Sequence, residues 1–401
     1  LLFSLNFGLL EFIRGSVLTG FPWNLIAYSF SNYVEILRIT SIIGTYGFNL
    51  FCISLFTSPA LFILNESKKD ISVSIFFLIL TVIFYIYGYY YEKKFNELDN
   101  HVYDYKIRAI GSNIGLDRFY KNIEPVSVIE ELIKISEPNG NEKIIFVWPE
   151  GILPDISQKQ LIEYNWLFKD KFTKNHFLII GINSKSINNG ISKIYNSFSL
   201  YDNELNLLNS YNKINLVPFG EFLPFEKLLS NIGLKIITNK HQSFSKGEQR
   251  NIIEIKDKNF SLKILPLICY EIIYSGKIFE KNNFGLIINI SEDGWFGKSI
   301  GPKQHFNHSI FRAIESGKYI IRSSNNGISA IINPLGIIEK SLNLGDYGYI
   351  DFKKRKKIQP TVFSKYGNKI FVLLILLYIF FIISISFLFS FNRTTNSFKN
   401  K

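Results

Sequence analysis

A chain of 401 residues is longer than a typical single soluble domain, so we expect at least two structural units. Hydrophobic residues make up 47% of the chain and the mean hydropathy is +0.12, a positive value that argues against a wholly soluble protein. A net charge of +12 suits either nucleic acid or anionic lipid. Because the chain also contains long apolar runs, we predict a membrane partner and no nucleic-acid function.

Three apolar stretches contain no charged side chain and are each long enough to span about 30 Å of hydrocarbon. They are residues 39–64, 71–91 and 370–391. A fourth stretch, residues 1–18, contains Glu11 and Arg14 three positions apart, where they can neutralise each other on one helical face. Gly, Pro and Trp in residues 19–24 suit a turn at the membrane interface.

These stretches predict the domain organisation. We expect N-terminal transmembrane helices, a catalytic domain, a C-terminal transmembrane helix and a cytoplasmic tail, at residues 1–91, 92–369, 370–391 and 392–401 respectively. The chain begins at Leu1 and contains no Met, so we expect its true start, with further helices, to be missing.

The charged loops predict the orientation of these helices. The tail after the last span carries only positive charge, which favours the cytoplasm and leaves residues 92–369 on the opposite side. Lys68 and Lys69 in the polar loop 65–70 agree with this orientation. Two predicted spans, 71–91 and 370–391, separate that loop from the tail, so both lie on the same, cytoplasmic side. The basic residues 353–357 lie on the other side close to the last span, where they suit either contact with anionic headgroups or a solvated loop.

The residue pattern changes between the second and the last predicted membrane span. Short β-rich runs alternate there with polar helix-like segments, a pattern typical of an α/β sheet domain. The predicted strands are residues 144–147, 177–182, 194–200, 264–268 and 286–290. Polar sequence signatures follow the ends of these strands, where open α/β folds place their ligand-binding and active sites.

Three of these signatures carry side chains suited to nucleophilic catalysis. Cys269 stands where the run 265–268 ends, a position that suits a nucleophile, although a lone Cys is more often a buried core residue. Glu150 follows a hydrophobic strand and Pro149, where a carboxylate makes a usable general base or acid. Lys213 precedes an apolar loop with Pro and Gly, and a lysine beside a thiolate lowers the thiol pKa and stabilises an oxyanion.

Other sequence patterns predict a functional site less strongly, or lack residues that the site would require. Trp295 and Phe296 lie between glycines, where they suit either an aromatic wall on a tight loop or an ordinary packed turn. The stretch 297–299, Gly-Lys-Ser, lacks the first glycine of a phosphate-binding loop. His305 and His308 have no third ligand nearby in sequence, so we predict no metal. We predict no disulfide between Cys52 and Cys269, because Cys52 lies in a predicted membrane stretch and Cys269 at a strand end.

The order Glu150, Lys213, Cys269, each after a hydrophobic strand, resembles the nitrilase or carbon-nitrogen hydrolase superfamily. Its domain is an α-β-β-α sandwich with a Glu-Lys-Cys triad, here expected between transmembrane α-helices. Further motifs narrow the resemblance to the apolipoprotein N-acyltransferase family over nearly the whole chain. They are Trp-Pro-Glu, Asn-Lys-x-x-Leu-Val-Pro-Phe-Gly-Glu, Ile-Cys-Tyr-Glu, Asp-Gly-Trp-Phe-Gly, Gly-Pro-x-Gln-His and the upstream Glu-Phe-Ile-Arg-Gly.

The resemblance implies a two-step acyl transfer. Cys269 would take an acyl chain from a membrane phospholipid as a thioester, and the α-amino group of a diacylated apolipoprotein would then accept the chain. Glu150 matches the general base and Lys213 the transition-state stabiliser. Glu221, Tyr270, Glu271 and Trp295 match supporting positions. The resemblance further implies no cofactor, a monomer, and a bacterial inner membrane location with the catalytic domain in the periplasm.

The chain departs from the family pattern at a few positions. Glu292 stands where Asn is common, and Asn326 where Thr is common. The segment 111–115 lacks the Gln and Lys-Trp that often follow it, so Phe119 or Tyr120 is the candidate replacement for that tryptophan. Two alternatives stay open at this point: a membrane-anchored amidase or nitrilase with the same triad and water as acceptor, and a non-catalytic membrane scaffold.

Overall fold

The structure is a computed structural model of the chain. It describes residues 1–61, 68–121, 123–188, 190–226, 231, 243–258, 260–278 and 283–399. The helices in these ranges are α1 Leu2–Arg14, α2 Val34–Leu37, α3 Thr40–Thr57, α4 Lys68–Asn96, α5 Pro125–Ser136, α6 Asn165–Phe168, α7 Gly301–Ser316, α8 Val362–Tyr366 and α9 Lys369–Lys399. Short 3-10 helices cover Ile26–Phe30, Leu116–Phe119, Gln160–Tyr164, Cys269–Ile273 and Asp293–Phe296.

The strands form two sheets. They are β1 Asn100–Gly111, β2 Ile144–Val147, β3 Leu153–Ser157, β4 His176–Asn188, β5 Ile191–Tyr201, β6 Leu207–Asn212, β7 Ile253–Asp257, β8 Phe260–Ile268, β9 Leu286–Glu292, β10 Ile320–Asn325, β11 Ser329–Ile332, β12 Ile338–Leu342 and β13 Gly348–Lys356. The first sheet has the order β13-β1-β2-β4-β5-β6, with β3 paired to β4. The second has the order β12-β11-β10-β9-β8-β7. All five predicted strands are present, and β4, β5, β8 and β9 are longer than predicted.

The sheets pack face to face, and helices cover their outer faces. Successive side chains of β2 show the layers, because they point to opposite faces of the sheet. Ile145 and Val147 lie in the core shared with the second sheet, whereas Ile144 and Phe146 pack with α5. On the far side, α7 covers the second sheet. The predicted α-β-β-α sandwich is therefore confirmed.

Apolar helices lie beside the sandwich. Two helices in the described residues are long and apolar enough to cross a membrane, at Thr40–Thr57 and Ile71–Asn96, and Lys369–Ser384 is a shorter apolar helix. The first is 72% buried within the protein and the second only 17%, so the second exposes far more of its surface to its surroundings. Glu11 and Arg14 pair as predicted, at 2.9 Å.

One predicted loop boundary is wrong. Lys68–Asn96 is one helix, so Lys68 and Lys69 begin α4 rather than lie in a loop; residues 62–67 are outside the described residues. Helix α9 extends to Lys399, so the segment after residue 391 is helical as far as that residue, and its assignment as a cytoplasmic tail stays a prediction. The division of the chain into domains at residues 91 and 369 stays a prediction.

A buried polar cluster joins the apolar helices to the sandwich. Glu315 on α7 accepts hydrogen bonds from the backbone N–H and the hydroxyl of Thr45 on α3, at 2.7 and 2.6 Å, and from Ser275 at 2.7 Å. Arg312 Nε lies 2.9 Å from Glu315 Oε2, and both side chains are fully buried. These contacts fix α3 against the sandwich.

Replacement of Glu315 tests this joint. Glu315→Ala leaves the Arg312 guanidinium buried without its counter-ion, so we expect a loss of about 3–5 kcal/mol in the free energy of unfolding. A denaturant titration in detergent micelles measures the loss. Glu131→Ala on the exposed face of α5 is the control and should change stability by less than about 0.5 kcal/mol. Equal stability of the two variants would contradict the assigned role of Glu315.

Candidate active site

Cys269 sits on a strained turn at the end of β8. Its backbone φ is +46°, a left-handed conformation that is unfavourable for a residue with a Cβ, and the 3-10 helix Cys269–Ile273 follows directly. Glu271 holds the turn, because its Oε2 accepts a hydrogen bond from the Ile268 N–H at 2.9 Å. The Cys269 side chain is 8% exposed, and both cysteines are free.

Glu271 also connects this turn to the segment that carries Lys213. Its Oε1 accepts hydrogen bonds from the Ile214 N–H at 3.0 Å and from the Tyr211 hydroxyl. Arg250 pairs with the same oxygen at 3.0 Å. The Arg250 guanidinium and the hydrogen-bond donors hold the pKa of the Glu271 carboxyl below its ordinary value despite complete burial. Glu271 is thus a buried anion that fixes two segments relative to each other.

Lys213 is buried between two carboxylates. Its Nζ lies 3.2 Å from Glu150 Oε1 and 2.9 Å from Glu221 Oε1. Asn196 on β5 donates to the same two oxygens, at 2.7 and 2.8 Å. Burial favours a neutral amine, but the two carboxylates outweigh it and raise the pKa of Lys213, so the side chain stays an ammonium ion.

Glu150 is held at both oxygens. Oε2 accepts a hydrogen bond from the backbone N–H of Glu292 at 2.9 Å, while Oε1 faces Lys213 and Asn196. The side chain of Glu292 turns away and forms a buried ion pair with Arg118. Burial raises the pKa of Glu292, although Arg118 opposes that shift. Glu292, the residue that departs from the family pattern, is therefore paired with a buried arginine from a distant segment of the chain.

The electrostatics of the site do not leave Cys269 as a free thiolate. Burial raises the pKa of the thiol, the Glu150 carboxylate raises it further, and the Lys213 ammonium lowers it. The expected effect of Lys213 is present, but the first two effects are larger. A thiol with a raised pKa needs a base that removes its proton as it reacts, and Glu150 is the buried carboxylate on which the thiol pKa depends most strongly.

Cys269, Lys213 and Glu150 line one cavity of about 540 Å³. The cavity is mainly apolar, and Glu221, Tyr270 and Trp295 also line it. Three apolar side chains of its lining are exposed at its edge: Phe21 at 49%, Phe219 at 50% and Ile300 at 65%. The structure thus brings six of the seven predicted site residues to one cavity, and Glu271 supports it from behind the nucleophile turn.

The turn at residues 19–24 forms part of the cavity. Tyr270 donates a hydrogen bond to the Gly20 carbonyl at 2.9 Å and stacks on Phe21. Trp23 donates to Gln304 on α7 at 2.8 Å. Tyr270, the residue directly after Cys269, therefore holds the turn that follows α1. The apolar N-terminal segment thus reaches the candidate active site itself.

Trp295 forms the aromatic wall that its position between glycines suggested. The ring of Phe119 lies 4.8 Å from that of Trp295, and Tyr120 contacts the same ring edge-on at 6.4 Å. Both candidate replacements for the missing tryptophan therefore pack on Trp295. Phe119 also lines a smaller cavity of about 70 Å³ that shares Glu150 and Trp295 with the larger one.

His305 lines the catalytic cavity and belongs to a buried cluster of charged side chains. Nδ1 of His305 lies 2.8 Å from Asp293 Oδ1, and Arg322 pairs with the same carboxylate at 2.7 Å. Burial lowers the pKa of His305, so its ring is neutral near pH 7. No cluster of three His, Cys, Asp or Glu side chains with metal-binding geometry occurs in the part of the chain that the structure describes.

Sequence reasoning missed Asn196 and Arg118. Asn196 interrupts the apolar alternation of a predicted strand, and that interruption was the available signal. Arg118 had none, because its partner Glu292 lies 174 positions away in sequence.

Two family models match the chain. The one described as "Carbon-nitrogen hydrolase" matches residues 145–350, and "Apolipoprotein N-acyltransferase N-terminal domain" matches residues 1–58. The apolipoprotein N-acyltransferase of Rickettsia typhi is 36% identical over 397 residues, which cover 97% of this chain and 76% of that protein. The chain belongs to the apolipoprotein N-acyltransferase family.

A second curated relative agrees with this assignment. The apolipoprotein N-acyltransferase of Rhodopseudomonas palustris is 30% identical over 372 residues, which cover 89% of this chain and 68% of that protein. Among solved structures, Saccharomyces cerevisiae Nit3, a member of branch 10 of the nitrilase superfamily, has 17% identity and a TM-score of 0.42, with coverage of 62% of this chain and 89% of Nit3. Family membership confirms the predicted enzyme class, a membrane acyltransferase with a carbon-nitrogen hydrolase domain.

The pH dependence of cysteine alkylation tests the electrostatics of the site. We expect Glu150→Gln to shift the alkylation curve of Cys269 to lower pH, because it removes a negative charge that raises the thiol pKa. Lys213→Met should shift the curve to higher pH, because it removes the positive charge that lowers that pKa. Iodoacetamide labelling at a series of pH values, read by peptide mass spectrometry, separates Cys269 from Cys52. Shifts of the same sign in both variants would refute this account.

Proposed function

We propose that this chain moves an acyl chain from a membrane phospholipid to the N-terminal amine of a diacylated apolipoprotein, through a thioester on Cys269. The observation that carries the proposal is the apolar cavity of about 540 Å³ that holds Cys269, Lys213 and Glu150 together. Membership of the apolipoprotein N-acyltransferase family supports the substrate classes. The assignment of individual catalytic roles rests on the geometry of the site.

In the first step, the Cys269 sulfur attacks the ester carbonyl of the phospholipid. Glu150 accepts the thiol proton as the bond to carbon forms, which compensates for the raised pKa of the thiol. The Lys213 ammonium stabilises the oxyanion of the tetrahedral intermediate. When the C–O bond breaks, Glu150 returns the proton to the alkoxide, and a lysophospholipid leaves.

In the second step, the neutral α-amine of the apolipoprotein attacks the thioester. Glu150 takes the proton that the nitrogen loses, the C–S bond breaks, and the proton returns to the Cys269 sulfur. The product is an amide, and the enzyme regains its starting state. A thioester preserves the reactivity of the acyl group between the two steps, so no further energy source is needed.

The supporting residues have positioning roles in this proposal. Glu221 holds the Lys213 ammonium and also accepts a hydrogen bond from the Val217 N–H at 2.9 Å, which fixes the loop at the cavity edge. Tyr270 holds the turn at residues 19–24, and Glu271 holds the nucleophile turn. Trp295 forms one wall of the cavity.

The apolar edge of the cavity supports a site at the membrane surface. Phe21, Phe219 and Ile300 are exposed there, and Phe21 belongs to the turn that directly follows α1. An acyl chain that enters along such an edge avoids contact with water. We further propose that the catalytic domain, residues 92–369, lies on the periplasmic side of the bacterial inner membrane and that the enzyme acts as a monomer.

The alternative is a membrane-anchored amidase with water as the acceptor. It uses the same three side chains, so their geometry does not distinguish it. The lining of the cavity favours the acyltransferase, because a long apolar cavity edge suits a lipid chain better than a small amide.

Mass spectrometry of the intact protein tests the thioester. We expect purified protein incubated with phospholipid to gain a fatty-acyl mass on Cys269 that hydroxylamine removes. Cys269→Ala should lose this mass, whereas Cys52→Ala, the matched control, should keep it. An acyl mass that persists on Cys269→Ala would exclude the assigned nucleophile.

The acyl acceptor distinguishes the proposed acyltransferase from the alternative amidase. Addition of a diacylated peptide with a free amino terminus should discharge the acyl-enzyme and give a triacylated peptide. An amidase-like enzyme would release only free fatty acid under the same conditions, and that result would contradict the transferase.

A further inference from the structure

A separate cavity, away from the active site, is strongly basic. Its volume is about 290 Å³, and none of its lining residues contributes to the catalytic cavity. We call it the basic cleft. Its positively charged lining residues are Lys263, Lys318, Arg355, Lys356 and Lys357. Among the described residues, no Asp or Glu lines it, so its positive charge is not balanced within the cleft.

The charges of the basic cleft are close to one another and partly buried. Burial lowers the pKa of Lys318, and the nearby charges of Arg355 and Lys357 lower it further. The Nε atom of Arg355 is buried and has no hydrogen-bond partner in the described part of the chain. A cluster of like charges with an unsatisfied guanidinium atom is a favourable place for an anion.

Carboxylates near the cleft, such as Glu254 beside Lys263, lie outside its lining. Glu339 accepts a hydrogen bond from Tyr319, and it does not line the cleft. Lys356 has partners of its own, since its Nζ donates to the carbonyls of Phe95 and Asn96 at the end of α4. The cleft therefore adjoins the end of the long apolar helix that exposes most of its surface.

Another cavity continues from the basic cleft along that helix. Its volume is about 370 Å³, and it shares Lys357 and Ile358 with the basic cleft. We call it the apolar groove. It lies between α3, α4 and residues 357–362, and Ile42, Tyr87, Tyr91, Phe95 and Val362 line it. Tyrosines at the end of an apolar helix are typical of a membrane–water interface, so the groove lies at the depth of the headgroups and upper acyl chains.

We propose that the basic cleft and the apolar groove together bind one anionic phospholipid, with its phosphate in the cleft and an acyl chain in the groove. The lipid is distinct from the acyl donor, because it lies outside the catalytic cavity. A phosphodiester with a net negative headgroup fits better than a zwitterionic lipid, because the described lining of the cleft has no carboxylate for a quaternary ammonium group. The bound lipid fastens β13 to the end of α4.

The first test compares two double variants of equal charge change. Lys318→Gln with Lys357→Gln removes two charges of the cleft, and Lys353→Gln with Lys354→Gln removes two exposed charges of β13 that line neither cavity. Native mass spectrometry of the full chain measures binding of phosphatidylglycerol and phosphatidylcholine. We expect wild type to prefer phosphatidylglycerol, and the cleft variant to bind it about 30-fold more weakly, as two basic side chains near a lipid surface imply.

Two results would overturn the proposal in this test. One is an equal loss of phosphatidylglycerol binding in the control double variant, because general surface charge would then explain the attraction. The other is equal binding of the two lipids by the wild-type protein. Matched unfolding temperatures of the three proteins establish that the substitutions leave the fold intact.

The second test concerns the groove. Val362→Trp fills the groove without a change in charge, and it should weaken phosphatidylglycerol binding while inorganic phosphate binds as before. Val102→Trp, at an exposed position outside both cavities, should change neither. If inorganic phosphate binds wild type as tightly as phosphatidylglycerol does, the groove contributes nothing and the lipid assignment is wrong.

Discussion

The buried ammonium of Lys213 is the constraint on which the rest of the site depends. An unpaired charge in the interior of a protein costs several kcal/mol, so Lys213 requires the two carboxylates that it contacts. Glu150 follows β2, and Glu221 belongs to the loop after β6. Correct pairing therefore requires that separate segments of the first sheet assemble in one arrangement. Asn196 completes that arrangement from β5, because its amide donates to both carboxylates.

The nucleophile depends on a second buried anion. The left-handed backbone of Cys269 costs on the order of 1–3 kcal/mol, and it persists only where its surroundings determine it. Glu271 fixes this backbone conformation, because it accepts hydrogen bonds from the Ile268 N–H, just before the cysteine, and from the Ile214 N–H, just after Lys213. Glu271 thus joins the end of β8 in the second sheet to the segment after β6 in the first, and the sulfur is held at the cavity that contains the lysine.

The apolar helices belong to the site as much as the sandwich does. The turn after α1 contributes Phe21 and Trp23 to the catalytic cavity, while Glu315 and Thr45 join α7 to α3. A lipid substrate explains this construction, because its acyl chain leaves the bilayer only where an apolar path leads directly to the sulfur. A sandwich without these helices would lack one wall of its cavity.

The sequence by itself determined an α/β domain, its buried strands and the side chains at their ends, because apolar runs and the residues that stop them are local features. The sandwich arrangement was implied by the resemblance of the ordered motifs to a known superfamily. The sequence did not determine the long edge strands such as β13, whose pattern is mostly polar, or the continuation of α9. Only the tertiary structure decided that Asn196 bridges Glu150 and Glu221, that Arg118 pairs with Glu292, and that Lys318 faces Arg355. Such contacts join segments far apart in sequence, and their energy comes from burial, which no local pattern of residues records.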